Sequence, residues 1–195
     1  MMSPDHSVPG AYFEALYERD PDPWRFESSR YEKDKYAATL AAIGDKKIPR
    51  AWEVGCSIGV FTEALASRCA ALLAVDVADA ALDRARRRCA DRPHVSFQRM
   101  RIPDEWPEGR FDLIVFSEVL YFLSAYEVRL TARRAVAALT PYGRVVLVNW
   151  TGETGHALSG DAAADMFHAA VAPDVVPLCH ERRTGYRLDI YRRGP

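Results

Sequence analysis

Short apolar runs recur along the chain at residues 51–54 (AWEV), 71–77 (ALLAVDV), 95–98 (VSFQ), 111–117 (FDLIVFS) and 144–150 (RVVLVNW). Several show little polar alternation, as strands covered on both faces do. Between them, residues 60–69, 79–90 and 125–139 carry helical patterning. The second of these helices opens on Asp79 and closes on Arg86, Arg87 and Arg88, charges that suit the two ends of a helix dipole. The arginines therefore read as a solvated helix end rather than a nucleic-acid patch. Strand and helix in alternation predict an α/β fold, a parallel sheet with helices on both faces. The last residues break the rhythm. In CHERRTGYRLDIYRR, Thr184 and Gly185 lie between two strand-like runs, which predicts a tight antiparallel hairpin and so a mixed sheet.

Composition narrows the classes of function. The 195 residues are 49% hydrophobic, enough for one well-filled domain spanning 1–195. A net charge of -1 and a pI near 6.5 give no pull toward nucleic acid or an anionic membrane. No run of about 18 apolar residues is present and the first twenty residues lack the apolar core of a secretory signal, so the expectation is a cytoplasmic protein, monomer or homodimer. Cys56, Cys69, Cys89 and Cys179 stand far apart with no CxxC pair, which predicts reduced thiols and no metal site.

The most informative stretch is EVGCSIG, residues 53–59. Gly55 directly follows an apolar strand and Gly59 opens a helix, a turn tight enough for a ligand to approach backbone amides. Counted from Gly55, a dinucleotide fingerprint would need glycine at Ser57 and Val60, and neither is there. No GxxxxGK[ST] phosphate loop occurs. Read two residues earlier, Glu53-x-Gly55-x-Ser57-x-Gly59 resembles the acidic-x-Gly-x-Gly-x-Gly loop of class I S-adenosylmethionine-dependent methyltransferases, with serine for the middle glycine. Such a ligand carries an ammonium and a sulfonium in place of a diphosphate, so a carboxylate beside the loop attracts it. Asp76 closes the second strand, where a carboxylate can accept from both ribose hydroxyls. This resemblance implies a Rossmann-like sheet of seven strands ending in the antiparallel hairpin.

A narrower resemblance rests on four segments: RDPDPWRFESSRYEKDKY (19–36), EVGCSIGVFTEALASRC (53–69), FDLIVFSEVLYFL (111–123) and GH (155–156). Together they are similar to the NodS-like family of rhizobial nodulation N-methyltransferases. The resemblance implies transfer of a methyl group to a small-molecule acceptor, an amine such as an amino sugar or chitooligosaccharide. It also implies a division into a helical lid segment (1–50), a cofactor-binding core (51–150) and an acceptor-side region with the hairpin (151–195). Candidate cofactor contacts are Glu53, Gly55, Cys56, Ser57 and Gly59 in the loop, Phe61 behind it, and Asp76 and Val77 at the second strand's end. Met100, Arg101 and Ile102 follow the third strand, Ser117 and Glu118 the fourth, and Trp24 and Tyr36 come from the lid. Arg101 stands where many relatives place an acid against the adenine amino group, and arginine cannot accept that hydrogen bond. Adenine is then left to backbone groups, Met100, Ile102 or Asp104.

The segment before residue 37 holds Tyr12, Phe13, Tyr17, Trp24, Phe26, Tyr31 and Tyr36. They either shield a sulfonium or pack two N-terminal helices on the sheet, with Trp24 in the loop marked by Pro21 and Pro23. Tyr121 either packs or lines the pocket. An amine acceptor must lose a proton before it offers a lone pair, so a base is expected: His156 first, then Glu118 and Asp161. His6, His94, His168 and His180 lack ligand-like spacing. Two other functions stay open at this level, a nicotinamide-dependent oxidoreductase and a noncatalytic S-adenosylmethionine-binding regulatory protein.

Overall fold

A computed structural model describes residues 6–195. The chain divides into two compact units, Pro9–Arg101, and Ile102–Pro195 with residues 6–8.

In the first unit, α1 (Gly10–Arg19) and α2 (Arg30–Ile43) precede β1 (Ile48–Val54), α3 (Val60–Ala66), β2 (Cys69–Asp76), α4 (Asp79–Arg88) and β3 (Val95–Arg99). The strands lie in the order β3-β2-β1, all parallel. Leu82 of α4 packs on Ala74 of β2 and Phe97 of β3, an apolar helix stripe meeting a covered sheet face. The Asp20–Ser29 connection is an ordered turn. The Asp22 carboxylate accepts from the Phe26 and Glu27 amides at 2.8 and 3.0 Å, and Ser29 caps α2 through the Glu32 amide. Two N-terminal helices with Trp24 in the loop between them are therefore present.

α4 lacks a side-chain cap of its own because Ala78 occupies the cap position. Glu14 of α1 supplies it, accepting from the Asp79 and Ala80 amides at 2.6 and 3.1 Å. At the arginine end of α4, Arg86 and Arg87 are exposed, as expected of a solvated terminus, and Arg88 alone is half-buried. Arg88 donates to the Ile58 carbonyl at 3.0 Å and pairs with Glu27, so its guanidinium braces the 53–59 loop and the N-terminal turn together.

In the second unit, β4 (Phe111–Ser117) leads through a short helical turn, Leu120–Phe122, into α5 (Ala125–Ala138), β5 (Leu139–Trp150), α6 (Gly160–Val171), a second short turn, Ala172–Asp174, β6 (Val175–Arg183) and β7 (Tyr186–Arg193). Ser124 and Glu127 form a reciprocal capping box at the start of α5. The strand order is β4-β5-β7-β6, with β4 and β5 parallel and β7 antiparallel to both neighbours. The hairpin turns at Thr184 and Gly185, as expected, with Gly185 left-handed at φ 84. β7 shows little alternation for a physical reason: it lies between β5 and β6, and every residue from Tyr186 to Tyr191 is buried.

That burial includes Arg187 and Asp189, paired at 2.7 Å. Arg187 also meets Asp165 of α6 at 2.6 Å, and Asp189 takes the His180 ring nitrogen at 2.6 Å. Each buried charge thus has a partner. Seven strands in all, mostly parallel with an antiparallel end, match the expected sheet. Among the described residues no helix is long and apolar enough to cross a membrane.

Candidate functional site

The loop after β1 owes its shape to three left-handed residues at alternate positions: Gly55 (φ 79), Ser57 (φ 51) and Gly59 (φ 81). That alternation is the physical content of the glycine spacing. Serine pays a steric penalty in this region and recovers part of it through contacts. Its amide donates to Asp76 Oδ2 at 2.9 Å, and its hydroxyl lies in a short hydrogen bond with the Tyr17 hydroxyl of α1. The amides of Gly55 and Cys56 both donate to the Val75 carbonyl, at 2.8 and 3.0 Å, and that of Gly59 to Cys56 at 2.9 Å. Loop amides that would greet a diphosphate are therefore spent on the loop itself.

Tyr17, which the sequence does not set apart from the other N-terminal aromatics, sits directly on the loop. It is buried, with Trp24 edge-on at 5.6 Å, and it shares a cluster with Ile58, Ala78 and Ala81. Burial and the neighbouring Asp76 push its phenol well above the ordinary range, so it stays protonated and able to donate. Tyr17→Phe is expected to cost about 1 kcal/mol in urea unfolding. An unchanged midpoint would show that the hydroxyl pair carries no weight.

Two carboxyl groups define the electrostatics. Glu53, on β1, is 1% exposed and its Oε2 has no hydrogen-bond partner. Burial pushes its pKa up to about 8, the Thr62 hydroxyl offsets part of this, and Asp76 adds to it. Asp76, at the end of β2, is raised by burial and lowered by the amides of Ser57, Ala78 and Val77. Among the described residues no cationic side chain offsets either group. Cys56, between them, is held as a neutral thiol by burial and by both carboxyls.

Around the pair, a Cβ added at Gly10 of α1 would stand 3.6 Å from Val77 Cβ, and Arg99 donates to the Val77 carbonyl at 3.2 Å. The Met100 amide donates to the Asp76 carbonyl at 2.9 Å, which carries the chain back past the ribose-side carboxylate. Met100 is buried and Arg101 half-buried. Tyr36 lies on Phe61 with ring centroids 5.2 Å apart. Trp24 is 40% exposed and packs beside Phe26.

The remaining predicted residues belong to the second unit. Glu118, just past β4, is left-handed at φ 58, a strained conformation for a non-glycine residue. Its amide donates to the Val148 carbonyl at 2.7 Å and its carboxylate accepts from the Tyr121 hydroxyl at 3.4 Å. Tyr121 packs on Phe122, and Phe122 meets the His156 ring edge-on at 4.9 Å. Glu118, Tyr121, Phe122 and His156 are thus linked in one series of contacts. Burial lowers the His156 pKa below its usual 6.5, so the ring is neutral at pH 7. Ser117 is half-buried at the strand's end and Ile102 buried at the start of the unit.

Asp161 is placed differently from the other candidate bases: Arg182 holds its carboxylate at 2.7 Å, with Arg187 at 3.7 Å. His94 bonds the Ala66 carbonyl, His168 stacks on Tyr191 and His180 pairs with Asp189, each a packing or ion-pair role. Among the described residues no cluster of metal-ligating side chains is present.

The family model described as Nodulation protein S (NodS) matches residues 14–178. Nodulation protein S of Rhizobium tropici is 38% identical over 127 residues, 64% of this chain and 53% of that protein. Nodulation protein S of Bradyrhizobium diazoefficiens is 34% identical over 157 residues, 77% of this chain and 75% of that protein. The chain thus spans about half the length of the first of these relatives and three quarters of the second. Among solved structures, the N-methyltransferase NodS of Bradyrhizobium japonicum in complex with S-adenosyl-L-homocysteine superposes with a TM-score of 0.81 at 26% identity, covering 93% of this chain and 98% of that one. The strand order and terminal hairpin are those of the class I methyltransferase fold.

Proposed function

The chain belongs to the NodS family, and from that premise we propose that it is an S-adenosylmethionine-dependent N-methyltransferase acting on the amine of a small-molecule acceptor. The observation that carries this reading is Glu53, a fully buried carboxyl with an unpartnered oxygen, raised to about 8 and beside a second raised carboxyl. Such a pair fits a cationic ligand and repels a diphosphate. A nicotinamide-dependent oxidoreductase finds no support in it.

Bound S-adenosylmethionine supplies a methyl group already activated by a positively charged sulfur. Glu53 ionises toward its cationic end, and Gly55, Cys56, Ser57 and Gly59 form the floor. Asp76 keeps a second lone pair on each oxygen after accepting from the Ser57 and Ala78 amides, and offers these to the ribose hydroxyls. Val77, Met100, Arg101 and Ile102 hold the adenine without the acid usual in relatives. Trp24, Tyr36 and Phe61 exclude water, and Ser117 and Glu118 complete the cofactor contacts.

On the acceptor side, Glu118 and the rings of Tyr121 and Phe122 attract an ammonium. His156, neutral at pH 7, accepts its proton, which leaves a lone pair on nitrogen. That lone pair forms the bond to the methyl carbon as the carbon–sulfur bond breaks and its electrons stay on sulfur. In-line placement contributes on the order of 7–11 kcal/mol. Residues 6–50 act as the lid, 51–150 as the cofactor core and 151–195 as the acceptor side of a single methyltransferase domain; residues 1–5 of the expected lid segment lie outside the described residues. The protein works in the cytoplasm, as monomer or homodimer, without nucleic acid.

The deciding experiment offers labelled S-adenosylmethionine with amines, hydroxyl compounds and deacetylated chitooligosaccharides. Label should appear on amines, with activity rising with pH as the acceptor deprotonates. His156→Ala should lower kcat about 100-fold and change the pH profile. Transfer to hydroxyl compounds alone would overturn the choice of nitrogen, and a full-length chain that binds cofactor but transfers to nothing would favour a regulatory role.

A further inference from the structure

Ser57 breaks the glycine alternation of the 53–59 loop and is nevertheless left-handed, at φ 51. A side chain there costs about 1–2 kcal/mol, so something must hold it in place. The hydroxyl of Ser57 is held from α1, by the Tyr17 hydroxyl. Its amide donates to Asp76 Oδ2 at 2.9 Å, and the Ala78 amide donates to Asp76 Oδ1 at 3.1 Å, so two amides fix the plane of that carboxylate. α1 reaches the surroundings of both. Glu14, one helical turn before Tyr17 and so on the same face, accepts from the Asp79 and Ala80 amides that follow Ala78.

The strained torsion at Ser57 is the one about the bond from its amide nitrogen to Cα. A loop that relaxes there turns the N–H off Asp76, and the carboxylate loses one of its two supports. Glycine would hold this conformation unaided, whereas serine needs the tyrosine. Resting on the cofactor reading above, we infer that Tyr17 is a positioning residue for Asp76, acting through Ser57, and that the Tyr17–Ser57 pair replaces the middle glycine of the loop. The effect of Tyr17 is then confined to the ribose hydroxyls that Asp76 accepts. Its ring packs on Ile58, Ala78 and Ala81, which phenylalanine would preserve.

Calorimetry on the full chain tests this with S-adenosylhomocysteine and its 2′,3′-dideoxy analogue, which differ only in the ribose hydroxyls. Tyr17→Phe should weaken the former about 10-fold, as for one hydrogen bond to a charged group, and leave the latter within about two-fold. Ser57→Ala keeps the Cβ and removes the same hydrogen bond from the other side, so it should reproduce that selective loss even if Tyr17→Phe fails to fold. Ser57→Gly should bind both compounds like the wild-type chain, and adding Tyr17→Phe to it should change neither affinity by more than about two-fold. An equal loss for both compounds in Tyr17→Phe overturns the inference, as does a selective loss that persists undiminished in the Ser57→Gly background. Should the wild-type chain bind neither compound, the cofactor reading itself falls, and this inference with it.

Discussion

Glu53→Gln is expected to make the ligand-free protein more stable at pH 8 while weakening its hold on S-adenosylhomocysteine. The folded-state pKa of Glu53 is about 8, against 4.5 for an unperturbed carboxyl. Below pH 4.5 the group is protonated in both states and contributes no difference. Between 4.5 and 8 the unfolded chain releases the proton and the folded chain keeps it, so stability falls as pH rises, by about 1.4 kcal/mol per unit and about 3–5 kcal/mol in all. Glutamine removes that slope. Unfolding free energies of the two proteins should coincide near pH 4 and diverge toward pH 8, with the variant the more stable.

Binding runs the other way. A cationic amino-acid end draws Glu53 into its ionised form, so the wild-type chain releases a proton on binding and its affinity increases up to about pH 8. The variant should lose about 10- to 100-fold in affinity at pH 8, together with most of that proton release. Asp76, raised in the same direction, leaves a slope of its own in both proteins, so the difference between them is the quantity to read. Equal proton release from both would sink the assignment of Glu53.

Gly59→Ala should be costly for a separate reason. Gly59 is left-handed at φ 81, and an added Cβ would stand 2.9 Å from Ala85 Cα and 3.0 Å from Ala85 Cβ in α4. The backbone penalty is about 1–2 kcal/mol, and forcing α4 from the loop adds about 1–3 kcal/mol. Gly155→Ala is the control. It is left-handed at φ 67 with nothing within 4 Å of its added Cβ, so it carries the backbone penalty alone. A denaturant midpoint shifted equally by both substitutions would show that α4 does not press on the loop.

Much of the fold was legible because its signals are local. Apolar runs and dipole-matched charges locate β4 and α4 to within a few residues. Two elements escaped for identifiable reasons. Thr140-Pro141-Tyr142-Gly143 reads as a turn, yet it belongs to β5, which starts at Leu139 and absorbs the irregularity through a left-handed Tyr142 and a register shift against β4. α6 hides in an alanine-rich stretch. Its signals are Ser159, which caps the helix through the Ala162 amide, and the spacing of Ala163, Ala164, Phe167 and Val171, all buried.

The candidate site was legible where chemistry is tied to spacing. Glu53, Gly55, Gly59 and Asp76 follow from strand ends and loop length. Tyr17 does not. Nothing along α1 distinguishes the tyrosine that reaches Ser57 from Tyr12, which is 47% exposed. The fold hides a similar case outside the site: Glu32 and Lys35, three apart on a helix, look like any solvated surface pair until tertiary packing buries them.

The order of the last two strands bears on how the chain avoids its own copies. β6 is the outer strand of the sheet, and among the described residues β7 is its only neighbour there. Its other side is an open edge, with Val176 and Leu178 exposed beside it, a place where a strand of a second chain could add. Pro177, a residue poorly suited to strand pairing, lies in the middle of that edge and guards it.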